Sequence, residues 1–187
     1  MHDHTNQGQV NRFNERNYVM SQKNSPKVKD QNIALIKAIT ENNINRAKKL
    51  LDDGANVNQM HDEVGTLLMY ACAHNYSDIV SLLLHHNAKI NTVVNGVVSA
   101  LRIACASGNT KLVELLLKHG ANANEKFPSY LPEYPDRFNT PLNDAIQINA
   151  PEIVALLLSH GADINIKDHF SLTPLHNADL ATFLYTK

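Results

Sequence analysis

The chain is poor in several features that usually announce a function. Its 17 Lys and Arg nearly cancel its 18 Asp and Glu, leaving a formal net charge of −1. No electrostatic pull toward nucleic acid or an anionic membrane is built in, and neither is an expected partner. The longest apolar stretches, such as Ile79 to Leu84, fall far short of the roughly 20 residues of a membrane span, and the N-terminus is polar rather than signal-like. There are only two cysteines, Cys72 and Cys105, too few for a disulfide framework and in keeping with a reducing compartment. No GxSxG, GxxxxGKS/T or HExxH pattern and no Cys-rich zinc pattern occurs, so the sequence supports no catalytic activity, metal site or cofactor. The expected location is the cytoplasm, with delivery into a host cell by a non-classical route as an alternative.

What is present is repetition. Four segments align at once: Leu50 to Asn58 "LLDDGANVN", Leu83 to Asn91 "LLHHNAKIN", Leu116 to Asn124 "LLKHGANAN" and Leu157 to Asn165 "LLSHGADIN". Their alanines, Ala55, Ala88, Ala121 and Ala162, are spaced 33, 33 and 41 residues apart. A second signature begins eight residues after the closing asparagine at Thr66 "TLLMYA", Ser99 "SALRIA" and Thr173 "TPLHNA". At Thr140 "TPLNDA" the gap is sixteen, an eight-residue excess in a 33-residue period. "IALIKA" at Ile33 completes the series with a degenerate start.

The two motifs recurring in phase resemble the ankyrin repeat, a β-turn followed by two antiparallel helices. The resemblance spans about residues 30 to 187 and implies an all-α solenoid of four full repeats and a truncated fifth: about 30–62, 63–95, 96–136 with an insertion at about 125–139, 137–169, and 170–187. It implies a noncatalytic module that binds a protein partner, acting as a monomer. Residues 1–29, polar and aperiodic, are expected to be a flexible tail. An alternative makes the repeats the targeting module of an effector or enzyme whose activity lies in that tail or a fused partner.

The residue chemistry agrees with stacked helix pairs. Small residues at one phase, Ala38, Ala71, Ala104, Ala145 and Ala178, let first helices approach closely, and the ridges Leu82 to Leu84, Leu115 to Leu117 and Leu156 to Leu158 require burial on both sides. Asn42, Asn75, Gly108 and Asn149 recur between the helices, and Gly54, Asn87, Gly120 and Gly161 recur after them. Interchange of Gly and Asn at fixed phase predicts a left-handed backbone there. Ser77 and Thr110 are placed as N-caps of second helices, Thr140 and Thr173 as caps of first helices, Pro141, Pro151 and Pro174 in first turns, and Asp30 or a neighbour as cap of the first helix. Cys72 and Cys105, one repeat apart, are placed on neighbouring helices too far apart for a disulfide and serve as small packing groups.

The ten histidines invite a metal reading that their phase argues against. His86, His119 and His160 share the site just before the terminating Gly or Asn, where a basic group suits the helix dipole. Adjacent His85 and His86 face different ways and chelate poorly. His2 and His4 offer at most adventitious binding.

The partner surface implied by the resemblance is carried by finger tips and the inner face of the first helices. These positions are Met60, Asp62, Glu63 and His74, then Val93, Asn95, Val98 and Ser107, then Gln147 and Ile148, then Lys167, His169 and Phe170. In "VVNGVV", Asn95 and Gly96 predict a type I′ hairpin between β-branched strands. The insertion adds Phe127, Tyr130, Tyr134, Arg137 and Phe138, with Pro128, Pro132 and Pro135 stiffening the backbone. Stiff aromatic loops lose little entropy on binding and bury much area. Covering the insertion's own fingers is the competing role.

Overall fold

The computed structural model describes residues 26–61, 65–128 and 138–166 together with Thr173. The chain divides into two compact units, the first ending at Asn56 and the second beginning at Val57.

In the first unit, α1 (Pro26–Thr40) and α2 (Ile44–Asp52) form a helix pair. α1 starts ahead of the boundary expected at residue 30, so Asp30 lies inside the helix rather than capping it. Leu35, Ala38 and Ile39 face Ala47, Leu51 and Ala55 in a buried seam. Asn42 turns the chain with a φ of 50°, and the Asn43 side chain accepts the Arg46 N–H at 3.0 Å, capping α2. Asn32 Oδ1 accepts the Asn56 N–H at 2.8 Å and closes the unit.

The second unit holds three such pairs: α3 (Leu67–Ala73) with α4 (Ser77–His85), α5 (Ala100–Ala106) with α6 (Thr110–Lys118), and α7 (Pro141–Gln147) with α8 (Pro151–Ser159). First helices pack in series, α3 on α5 on α7, and second helices follow, α4 on α6 on α8. Ala71, Ala104 and Ala145, all fully buried, permit the close approach, and Leu83, Leu116 and Leu157 are fully buried in the second row. Each such leucine contributes about 1.5–3 kcal/mol of burial. Ala178 lies outside the described residues.

Helix ends follow the sequence closely in conformation and less closely in capping. Asn75, Asn87 and Asn149 carry φ of 57°, 61° and 53°, and Gly108 and Gly120 carry 67° and 88° at the matching phases. Space is not the reason for glycine at 120, because a Cβ there would meet nothing within 4 Å. The backbone angle is the reason. Thr66, Ser99 and Thr140 each accept the N–H three residues on, from Met69, Arg102 and Asn143, and cap α3, α5 and α7. Pro141 and Pro151 sit in first turns as expected. Ser77 and Thr110 do not cap second helices: each is the first helical residue. Asn109 caps α6 by accepting the Leu112 N–H at 3.1 Å, while Tyr76 and Ala150 supply no side-chain cap. The positive φ just before each of these sites shifts helix entry by one residue.

The closing asparagine of each repeat is a strut to the next. Asn58 Oδ1 accepts the Lys89 N–H at 2.8 Å. Asn91 accepts the Asn122 N–H at 2.9 Å and donates to the Gly120 carbonyl at 3.1 Å. Asn124 accepts the Asp163 N–H at 2.7 Å and donates to the Gly161 carbonyl at 2.8 Å. The amide side chain supplies both a donor and an acceptor, which aspartate or leucine at this position would not.

Fingers project between the pairs. β1 (Met60–His61) pairs antiparallel with β2 (Gly65–Thr66), Met60 opposite Thr66. At the next phase Asn95 and Gly96 both have positive φ, 53° and 71°, as a type I′ turn needs. The flanking valines, however, form a single bridge between Val94 and Val98 rather than two strands. The inserted finger is β3 (Phe127–Pro128) against β4 (Phe138–Asn139), with Phe127 opposite Asn139 and Pro128 opposite Phe138. The insertion expected at about 125–139 is therefore partly framework. Against the β1–β2 finger, the loop runs over 129–137 instead of 62–64, which takes up six of the extra residues. The other two are Pro128 and Phe138, because Phe127 and Asn139, three residues after Asn124 and one before Thr140, hold the places of the paired His61 and Gly65.

Candidate functional site

Among the described residues of the second unit, three side chains are large, apolar and exposed: Met60 at 47%, Val93 at 43% and Ile148 at 43%. Met60 lies on β1, Val93 just before the Val94 bridge, and Ile148 at the end of α7. His74 and Asn95 are also exposed, as are Ser107 and Gln147, and Val98 is half-buried. The fingers and the C-terminal ends of the first helices thus carry these eight predicted positions. Asp62, Glu63, Tyr130, Tyr134, Arg137, Lys167, His169 and Phe170 lie outside the described residues, as does the Phe138 side chain.

The sequence did not single out the ring row that links β1 to α3. His61 stacks near Tyr70 at 4.6 Å between centroids, Tyr70 on His74 at 4.1 Å, and His74 near Tyr76 at 5.5 Å. The i, i+4 spacing of Tyr70 and His74 was the available signal. His74, an exposed residue, has its Nδ1 bonded to the Tyr70 carbonyl at 3.0 Å.

Phe127 corrects a predicted anchor. It is fully buried, one of the largest enclosed side chains, and does not present surface to a partner. Its place on β3 fixes it against α5, where the Arg102 guanidinium carbon lies 4.8 Å from the ring centroid. Arg102 occupies the fourth place of the Ser99 signature, the place of His176 in "TPLHNA". From there its Nε donates to Asp144 Oδ2 at 3.0 Å, tying α5 to α7, and its Nη1 donates to the Val97 carbonyl at 2.7 Å. Asn139, the last residue of β4, donates from Nδ2 to the other Asp144 oxygen. Burial raises the Asp144 carboxyl above its ordinary value, and Arg102 and Asn139 pull it part of the way back. Glu125 lies beneath the same finger, 7% exposed.

The histidines before the terminating residues act on their own helices. Nδ1 of His119 bonds the Leu115 carbonyl at 2.8 Å, and Nδ1 of His160 bonds that of Leu156 at 2.9 Å. Among the described residues no group of three His, Cys, Asp or Glu is arranged to hold a metal ion, and no helix is long and apolar enough to cross a membrane. Cys72 and Cys105 are free and fully buried. Burial pushes the Cys72 thiol up to about 12 and the Cys105 thiol up as well, the latter with help from Asp144 and Glu125. Thiols so protonated are poor nucleophiles.

Helix pairs stacked in register, joined by fingers and tied by asparagine struts, define an all-α repeat solenoid of the kind that binds other proteins. Residues 14–94 and 91–168 match the family model described as "Ankyrin repeats (3 copies)", and the chain belongs to the ankyrin repeat family. Ankyrin repeats are generally protein–protein interaction modules, typically without catalytic activity. No curated protein matches the chain significantly.

Proposed function

We propose that the protein is a noncatalytic, monomeric binding module for a protein partner in the cytoplasm. It engages that partner through the β1–β2 and Val94–Val98 fingers, the exposed ends of α3, α5 and α7, and the aromatic loop between Pro128 and Phe138. One observation carries this: every large apolar side chain described as exposed in the second unit, Met60, Val93 and Ile148, falls on a position the repeat pattern assigns to the partner surface. Water-exposed apolar groups on a rigid scaffold are the parts a partner can desolvate at small entropic cost. Tyr130 and Tyr134 extend the same chemistry, and Arg137 adds a planar donor suited to interface ion pairs. Lys167, His169 and Phe170 continue the series at the last finger by sequence.

The test is affinity capture followed by titration of the captured protein. The variant combining Met60→Ser, Val93→Ser and Ile148→Ser should melt with the wild type and bind the captured partner at least tenfold more weakly. Unchanged affinity would refute the assignment.

A further inference from the structure

The polar cluster beneath the inserted finger does more than fix its base. We propose that the Glu125 carboxyl is a proton-operated latch: protonated, it lets β3 and β4 seat against α5 and α7, and ionised, it loosens that seat. The geometry has three parts. Glu125 is buried, and neither of its carboxylate oxygens makes a hydrogen bond of good geometry, the Ser99 hydroxyl offering only a weak opposing interaction. The described guanidinium of the cluster, Arg102, is engaged with Asp144, Val97 and the Phe127 ring rather than with Glu125. Glu125 directly follows Asn124, the place of Gln59 after Asn58, and leads into the lengthened finger two residues before Phe127.

Among the described residues, the titratable group that feels Glu125 is Cys105 on α5, which also feels Asp144 on α7; Arg102 lies on the same helix, and exposed Lys126 is next in the chain. A buried anion without a partner is costly, and protonation is the cheapest relief. Burial accordingly raises the Glu125 carboxyl above its ordinary value, with the Ser99 hydroxyl working the other way. A carboxyl raised in the folded state binds its proton more tightly there than in the unfolded chain. Its contribution to stability is full below the unfolded value and is lost as pH rises through the folded one. Asp144 is raised too and acts with the same sign, so wild type must be compared with Glu125→Gln, which keeps shape and removes the titration.

Thermal unfolding of both proteins is followed from about pH 5 to about pH 9. The two melting curves should converge at the acid end and separate as pH rises, with Glu125→Gln unfolding at the higher temperature. Curves that stay parallel, or a variant that loses stability equally at every pH, would overturn the latch. Should Glu125→Gln not fold, hydrogen exchange of the wild type decides. Protection at the Phe127 and Asn139 amides, corrected for intrinsic exchange, should fall with rising pH relative to Ile79 and Leu83. Protection falling equally at all four would also overturn it.

Discussion

Two fingers of one molecule, β1–β2 and β3–β4, solve the same problem with different chemistry. The first is short and rests on an apolar side chain: a Cβ added at Gly65 would come within 2.9 Å of Met69 Sδ and 3.0 Å of Val94 Cγ2. Met69, at the fourth signature place, is buried. One repeat on, the fourth place holds Arg102, and the finger that packs on it has a nine-residue loop over 129–137. There the base is an aromatic ring under a guanidinium, an ion pair and the Asn139 amide. The difference teaches that a finger can be lengthened above a buried aromatic and polar base while the helix stack stays in phase.

The largest expected effect breaks the long finger's base. Phe127→Ala should cost about 3–5 kcal/mol, because a fully buried ring is replaced by a void. Thermal or urea unfolding reads it directly, and a loss below about 1 kcal/mol would return Phe127 to the surface. The equivalent deletion on the short finger, Met60→Ser, should be near neutral, since Met60 is half exposed.

Arg102→Ala comes next. Its side chain and that of Asp144 are 16% and 10% exposed, so removing one partner strands a largely buried carboxylate, at about 3 kcal/mol. Arg102→Met with Asp144→Leu should recover much of that loss, since an apolar pair stands at this base as Met69 and Val94 do at the other. A double variant no better than the single one would mean that the polar base is indispensable.

A smaller effect separates backbone from packing. Asn75→Gly should be neutral or mildly stabilising, whereas Asn75→Ala should cost on the order of 1 kcal/mol, because Cβ crowds a left-handed residue. Equal melting temperatures for the two would remove the conformational reading of the Gly and Asn interchange.

Much of the fold was legible because it is written in phase. The alanines, leucine ridges and left-handed positions recur every 33 residues apart from the one lengthened repeat, and each repetition tests the others. The caps of second helices were misplaced by one residue because Ser and Thr look like caps wherever they stand, and only the backbone turn before them shows where the helix begins. Phe127 was misread for a related reason: within an aromatic and proline cluster, composition cannot tell the residue that pairs across a ladder from those beyond it. Its position three residues after Asn124 was the usable clue, the same as that of His61 after Asn58 and Val94 after Asn91. The asparagine struts, the ring row and the Arg102–Asp144 bridge needed three dimensions, since their partners lie on neighbouring turns or repeats. Of the candidate surface, Met60, Val93 and Ile148 were legible as exposed positions of the pattern.

Deleting Leu131–Asp136 tests the separation of framework from loop most directly. It leaves three residues between β3 and β4, the length found between β1 and β2. The account predicts unfolding within a few degrees of wild type, since stacked repeats are held by nearest-neighbour interfaces, together with a clear loss of affinity for the captured partner. A deletion that collapses the fold, or one that folds and binds undiminished, would contradict it.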